Sequence, residues 1–218
     1  MLLSGKEIQR QVDLGNIHID PFDPKKINPN SYNLSLNNEF AVYKNQVLDM
    51  KKDNPIEHFI IPETGFEMKP FGLYLARTNE RTSTSKYAPR IDGRSSGARL
   101  GVVVHLTAGF GDCGFDGFWT LEMFCLKPLI IYPNVDICQI EYSPIEGELS
   151  MYHNDKYNHN TGLQASMMYK DFNEDVVPFS RRDPWMNDAR NTRSGIDRYH
   201  NDIDNSDDEM SLHPLRNE

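Results

Sequence analysis

Residues 91–122 read Ile-Asp-Gly-Arg-Ser-Ser-Gly-Ala-Arg-Leu-Gly-Val-Val-Val-His-Leu-Thr-Ala-Gly-Phe-Gly-Asp-Cys-Gly-Phe-Asp-Gly-Phe-Trp-Thr-Leu-Glu. Two kinds of segment alternate here. Loops rich in glycine and in anion-binding groups, Asp92 to Arg99 and Gly109 to Gly117, are separated by apolar, β-prone runs, Leu100 to Leu106 and Phe118 to Leu126. Loops that present Arg and Ser from a rigid β scaffold are a common way to hold a phosphorylated ligand. The second apolar run carries one carboxylate, Glu122. A strand there would set Phe118, Thr120, Glu122, Phe124 and Leu126 on one face. A carboxylate among such neighbours is partly desolvated, so its proton affinity rises, which suits a group that must take and give a proton. A salt-bridged or edge-strand Glu fits the same pattern.

On the N-terminal side, Ser4 and Glu7 form a capping box, Ile8 and Val12 share a face, and Gly15 sits where a C-cap residue belongs, so the chain opens with one short helix. The pattern then becomes period two. Ile17 and Ile19, then Tyr32, Leu34 and Leu36, then Phe40 and Val42 read as short strands broken by Asp20-Pro21, Asn28-Pro29 and Asn37-Asn38. Residues 44–58 read as a polar loop or two-stranded excursion, Phe59 to Pro62 and Phe71 to Ala76 as strands, and residues 77–90 as a surface segment. Beyond the opening stretch, Leu129 to Tyr132 and Ile137 to Tyr142 flank a Pro133-Asn134 turn. Many short strands with regular turn signals predict an all-β barrel or sandwich.

The predicted domain spans residues 1–150. Residues 151–172 read as an extended arm. Residues 173–218 hold 11 acidic and 6 basic residues, a balance of −5 out of −9 for the chain, and read as an acidic, partly disordered tail. Pro178-Phe179 and Pro184-Trp185 are where a docked element could start. The net charge argues against a nucleic-acid partner, which wants a basic stripe, but leaves room for a small anionic ligand. No apolar run approaches the ~20 residues of a membrane span. No signal peptide is evident, and three cysteines without a Cys-x-x-Cys spacing point to a reducing, cytoplasmic setting and no structural zinc.

Arg94, Ser95, Ser96 and Arg99 would give a tight loop with several donors for phosphate oxygens; a surface turn with solvated arginines is the alternative. Asp112, among the glycines at 109, 111, 114 and 117, could accept a bond from a sugar hydroxyl or hold its own hairpin turn. There is no P-loop, no dinucleotide glycine fingerprint and no Gly-x-Ser-x-Gly. The zinc deaminase signature is absent too, so any base deamination here proceeds without zinc.

Over residues 1–172 the sequence resembles the dCTP deaminase branch of the trimeric dUTPase superfamily. The resemblance is carried by Leu3-Ser-Gly-Lys-Glu-Ile8, the Ile27 to Leu34 segment, Asp92-Gly-Arg-Ser-Ser-x-Ala-Arg-Leu-Gly101, Val104-His-Leu-Thr-Ala-Gly109, Asp112 to Gly117, Thr120-Leu-Glu122, Gln139-Ile140, Lys156-Tyr157 and Tyr169-x-Asp-Phe172. It implies a distorted β-barrel of jelly-roll type, a homotrimer with active sites between subunits, and hydrolysis of dCTP to dUTP and ammonia, with magnesium on the phosphates. Glu122 would then be the general base that activates water and shuttles its proton. Ser95 and the Ala108 carbonyl would position that water, and Arg99 would stabilise the reacting centre. Arg94, Ser96 and Lys156 would bind phosphates, Asp112 the 3′-hydroxyl, and Phe115 the deoxyribose. Tyr157 would help close the arm, with Thr107, Gln139 and Asn160 as further nucleotide contacts.

Ala108-Gly-Phe-x-Asp112 resembles members that also cleave dUTP to dUMP and diphosphate, so deamination alone and the two-step reaction both stay open. The chain departs from the family at the arm, Asn158-His-Asn-Thr-Gly-Leu163, and at Gly111, where an Ile is usual. The Gly111 change predicts extra room beside the nucleotide, as a modified base would need. The other functions compatible with these residues are a plain dUTPase, a deaminase for dCMP or modified cytosine nucleotides, and a nucleotide-binding regulator without turnover.

Overall fold

A computed structural model describes residues 1–152 and 156–172 of the chain. The chain divides into two units, Met1–Lys170 and Asp171–Glu218; the barrel and the arm as far as Lys170 belong to the first. The predicted acidic tail, with Pro178-Phe179 and Pro184-Trp185, lies outside the described residues.

The chain opens with α1 (Gly5–Asp13). Half of the predicted capping box forms: the Ser4 side chain accepts from the Glu7 N–H, while the Glu7 carboxylate turns to Arg10 and Gln11, and Gly15 follows at a left-handed φ of 72°. The strands are β1 (Ile17–Asp20), β2 (Tyr32–Tyr43), β3 (Ile56–Ile60), β4 (Phe66–Met68), β5 (Tyr74–Thr84), β6 (Tyr87–Gly93), β7 (Val102–Val103), β8 (Asp116–Cys125), β9 (Leu129–Ile131) and β10 (Asp136–Pro144), with a short α2 (Ser95–Arg99) between β6 and β7. Eight strands form one antiparallel sheet in the order β6-β10-β2-β5-β8-β7, with β1 added to β5 and β3 to β2; β4 and β9 pair separately. The sheet is nearly closed into a barrel, as the alternating pattern predicts.

Three local expectations are corrected. Asn37-Asn38 does not end a strand. β2 runs through it, and the register shifts between Leu36 and Phe40 where β2 meets β5. The Asn37 side chain donates to Asn79 Oδ1 at 2.6 Å and accepts from the Glu39 N–H at 2.9 Å, so side-chain bonds replace those the bulge interrupts. Residues 77–90 are not a surface segment. β5 continues to Thr84 and buries Thr78, Glu80, Thr82 and Thr84. These polar groups are inside because they find partners: Glu80 takes Lys26 Nζ at 2.6 Å and both the N–H and hydroxyl of Ser35, while Thr82 Oγ1 accepts from Trp119 Nε1 at 2.9 Å. Finally, Ser95 to Arg99 wind into a single helical turn instead of an open loop, and only Val102–Val103 of the following apolar run forms a strand.

The core is the inner face of these strands. Ile17, Tyr32, Leu34, Leu36, Phe40, Met68, Leu121, Met123, Ile140 and Tyr142 are essentially inaccessible, with Ile8 of α1 packed among them. Along β8 the buried side chains are Trp119, Leu121, Met123 and Cys125, which leaves Phe118, Thr120, Glu122 and Phe124 on the other face. All three cysteines are buried and free. Among the described residues no helix is long and apolar enough to cross a membrane.

Candidate active site

Outside β8 lies a cavity of about 580 Å3. One wall comes from the chain between β7 and β8 and from β8 itself: Leu106, Thr107, Ala108, Phe110, Gly111, Asp112, Phe115, Phe118, Trp119, Thr120 and Glu122. The other comes from the arm, through Tyr152, Tyr157, Asn160, Gln164, Ala165, Ser166 and Met168, with Tyr43 and Leu75 at its floor. The β7–β8 connection is held against β6, where the Ile91 N–H donates to the Gly109 carbonyl and the Gly111 N–H to the Pro89 carbonyl. Gly111 is needed for this approach: a Cβ there would fall 2.4 Å from Trp119 Cη2 and 3.0 Å from the Pro89 ring. The room predicted beside Gly111 is therefore absent, because the Trp119 indole fills it.

Glu122 sits opposite Leu75 of β5 and is half-buried. Burial pushes its carboxyl above the usual carboxylate range; backbone hydrogen bonds at Glu122 and Leu106 and the nearby His105 ring pull it back in part. No salt bridge to Glu122 is found among the described residues, so its desolvation is not offset by an ion pair. Asp112 is exposed, and its carbonyl accepts from the Phe115 N–H to close the turn. Phe115 packs between Trp119 at 5.0 Å and Tyr152 at 6.3 Å, centroid to centroid. The Tyr152 hydroxyl is pushed up to about 12, first by burial and then by the charge of Asp112.

The arm is fastened to the free edge of β8 by side-chain amides that imitate a neighbouring strand. Asn160 Oδ1 accepts from the Phe118 N–H at 2.8 Å, and its Nδ2 donates to the Phe118 carbonyl at 3.0 Å. Asn158 Oδ1 accepts from the Asp116 N–H at 2.8 Å, and the Gln164 N–H donates to Thr120 Oγ1. Tyr157 Oη accepts from the Met167 N–H at 2.9 Å. Leu163 anchors the middle of the arm against Ala41 and Leu75.

Of the sequence-predicted residues, Glu122, Thr107, Ala108, Asp112, Phe115, Tyr157 and Asn160 line this cavity. Arg94, Ser95, Ser96, Arg99 and Gln139 gather elsewhere in the same chain, and Lys156 is not part of the lining. Ser95, Ser96 and Arg99 are exposed on α2. Arg94 donates to the Asp136 carbonyl at 2.9 Å, and Gln139 donates to the Gly93 carbonyl at 3.4 Å while accepting from Ser31. Sequence reasoning missed Tyr43, Leu75, Trp119, Tyr152, Gln164, Ser166 and Met168. Trp119 gave no signal as a lining residue, because its fit against Gly111 shows only in the fold. The arm residues gave no signal, because nothing in the arm's composition shows which face meets β8.

The lining residues of one chain include no Arg or Lys. Among the described residues no three His, Cys, Asp or Glu side chains converge to hold a metal ion.

A family model described as dCTP deaminase-like matches residues 2–145. The chain is similar to an enzyme of Clostridium beijerinckii named dCTP deaminase, dUMP-forming, with 60% identity over 172 residues, 79% of this chain and 99% of that one. Enzymes of the same name from Cytophaga hutchinsonii and Leptospira biflexa are 54% and 52% identical over 172 residues, covering 79% of this chain and 99% and 98% of theirs. In fold, it is similar to the crystal structure of 2′-deoxycytidine 5′-triphosphate deaminase from Agrobacterium tumefaciens, at a TM-score of 0.53 and 13% identity, covering 65% of this chain and 47% of that one. A 172-residue match within 218 residues necessarily contains residues 47–172, and so the Glu122 cavity, α2 and the arm.

Proposed function

The chain belongs to the dCTP deaminase-like family, and on that premise we propose that it hydrolyses dCTP to dUTP and ammonia and then cleaves dUTP to dUMP and diphosphate. The observation that carries the first step is Glu122, a lone half-buried carboxylate with raised proton affinity facing a cavity of nucleotide size. In the chemistry this supports, Glu122 takes a proton from water as the water oxygen attacks ring carbon 4. It passes that proton to the ring nitrogen, then takes the proton of the new carbon-4 hydroxyl and passes it to the departing amine, so the carbonyl forms as the carbon–nitrogen bond breaks, one water is consumed and one ammonia leaves. Proton transfer by a positioned group of this kind contributes roughly a hundredfold to ten-thousandfold. Phe115 packs against the deoxyribose, Asp112 accepts from its 3′-hydroxyl, and the Ala108 carbonyl orients the water. The second step rests on the names of the relatives, which share 52–60% of their residues with this chain over 172 positions.

Charge supports an assembly of several copies. A nucleoside triphosphate brings several negative charges, and the cavity of one chain offers no cationic side chain. Arg94, Ser95, Ser96 and Arg99 stand exposed or half-exposed on another part of the same chain. A homotrimer in which one protomer's α2 faces its neighbour's Glu122 cavity supplies the missing clamp. The exposed apolar side chains flanking these parts, Leu100 at 63% and Phe110 at 69%, are of the kind such an interface covers. Magnesium fits as part of the substrate: with no acidic cluster in the described residues to hold it, its ligands would be phosphate oxygens and waters, and it would neutralise phosphate charge.

The test is chromatographic product analysis with dCTP, dUTP, dCMP and 5-methyl-dCTP. The reading predicts dUMP, ammonia and diphosphate from dCTP. Diphosphate from dUTP without ammonia from any cytosine nucleotide would contradict it.

A further inference from the structure

We infer that Asp136 is a positioning residue for the phosphate clamp, fixing the Arg94 guanidinium at the root of α2. This rests on the nucleotide reading above and extends it to a residue behind the clamp. β6 and β10 pair as far as Gly93 and Cys138, and Arg94 is the next residue, with extended backbone, before α2 begins. β10 is bulged at the same place: Asp136 pairs with Ser35 of β2 and Cys138 with Leu34, which leaves Ile137 over. Bulges of this kind re-aim groups beside functional sites. Here the Arg94 side chain reaches back to the bulged strand. Its Nη1 donates to the Asp136 carbonyl at 2.9 Å, with the Asp136 carboxylate at 3.8 Å. Among the described residues the guanidinium makes no other hydrogen bond, and the side chain stays 37% exposed, so most of the fork is left for an anion.

Asp136 is in turn rooted in the core. Its carboxylate accepts from Asn33 Nδ2 at 3.1 Å and lies 3.4 Å from Lys26 Nζ. Lys26 pairs at 2.6 Å with Glu80, which is buried and also takes the N–H and hydroxyl of Ser35. Charges are kept inside a barrel only when paired, and this set runs without a break from buried Glu80 out to Arg94. A fully satisfied polar network rigidifies what it holds. A long side chain that must be ordered to take a phosphate costs affinity, and one already pinned along one edge costs less. Asp136 therefore acts on the nucleotide through Arg94, without touching it.

The test measures KM and kcat for dCTP in the whole protein carrying Asp136→Ala or Asp136→Asn, each alone and combined with Arg94→Ala. Asp136→Ala removes the side-chain bonds that hold the bulge and leaves Lys26 its pair with Glu80. KM should rise roughly fivefold, the loss of one partly exposed charged contact, with kcat little changed, as expected of an interaction made equally before and during the reaction. Asp136→Asn keeps an acceptor for Asn33 and should raise KM less; it carries the test if the alanine variant does not fold. In the Arg94→Ala background neither substitution should move KM further. The sign is diagnostic, because a carboxylate that was only a negative neighbour of the phosphates would weaken binding, and its removal would lower KM. An unchanged or lowered KM would overturn the inference, as would the same rise without Arg94, which would mark Asp136 as a support of the fold. Wild-type protein that leaves dCTP intact, or Arg94→Ala with the wild-type KM, would sink the nucleotide reading and the inference with it, a result distinct from the others.

Discussion

At Glu122, burial and pH act together. Because the folded environment raises its pKa above the unfolded value, the folded state holds the proton more tightly. The ionised carboxylate therefore costs stability, a cost absent at low pH and fully present once the pH has risen through the folded pKa. Glu122→Gln removes that cost. The variant should melt above wild type at neutral pH, and the difference should shrink as the pH falls through the acid range, read by thermal scans across pH. Activity depends on the same proton in the opposite sense: the general base must be ionised, so kcat should fall on the acid side at a pH above that of an ordinary carboxylate. Gly111 supplies a second residue-scale prediction. Gly111→Ile would press into Trp119 and Pro89 and should cost about 1–3 kcal/mol by overpacking, measured by denaturant unfolding. A neutral or stabilising result would mean that space exists after all. Both residues were conspicuous in the sequence, but only the environment of Glu122 could be inferred, from the alternation of its own strand. Gly111 faces an indole eight positions away in sequence and was legible only as a departure from the family pattern.

The elements were legible where hydrophobicity alternates and illegible where polar groups are buried. The α1 cap, β1 and the apolar half of β8 follow directly from capping chemistry and period two. β5 was misread because Thr78, Glu80 and Thr82 look like surface residues until Lys26, Ser35 and Trp119 arrive from distant parts of the chain to pair with them. Removing one member of such a set leaves the others stranded, so Glu80→Leu, which leaves Lys26 without its closest carboxylate, should lower stability by about 3 kcal/mol. Denaturant unfolding would check this. The arm behaves as an added strand made of side chains. Asn160→Ala would unpair both backbone groups of Phe118 and should speed hydrogen exchange at that amide, which deuterium exchange read by mass spectrometry can locate. If the amide stays as protected as in wild type, the Asn160 bonds do not hold the arm in solution.

For the whole molecule, the sequence motifs read as one continuous site, whereas a single chain separates them into an α2 group and a Glu122 cavity. Spacing alone does not distinguish these arrangements, since residues 94–99 and 122 are close in the chain either way; only the family resemblance implied a site between subunits. The trimer reading predicts complementation. Arg99→Ala and Glu122→Gln are each inactive alone, yet in trimers reassembled from an equal mixture about a quarter of composite sites would draw both intact residues from neighbouring protomers. Recovery of activity on mixing would be read from ammonia release, and no recovery in trimers shown to have exchanged subunits would place both residues in one chain's site.

The most direct test of the account is ammonia release from dCTP by Glu122→Gln beside wild type, with nucleotide binding measured calorimetrically on both. The account predicts release by wild type, a loss of at least roughly a hundredfold in the variant, and dCTP affinity retained. A variant that binds dCTP and still releases ammonia at the wild-type rate would contradict it.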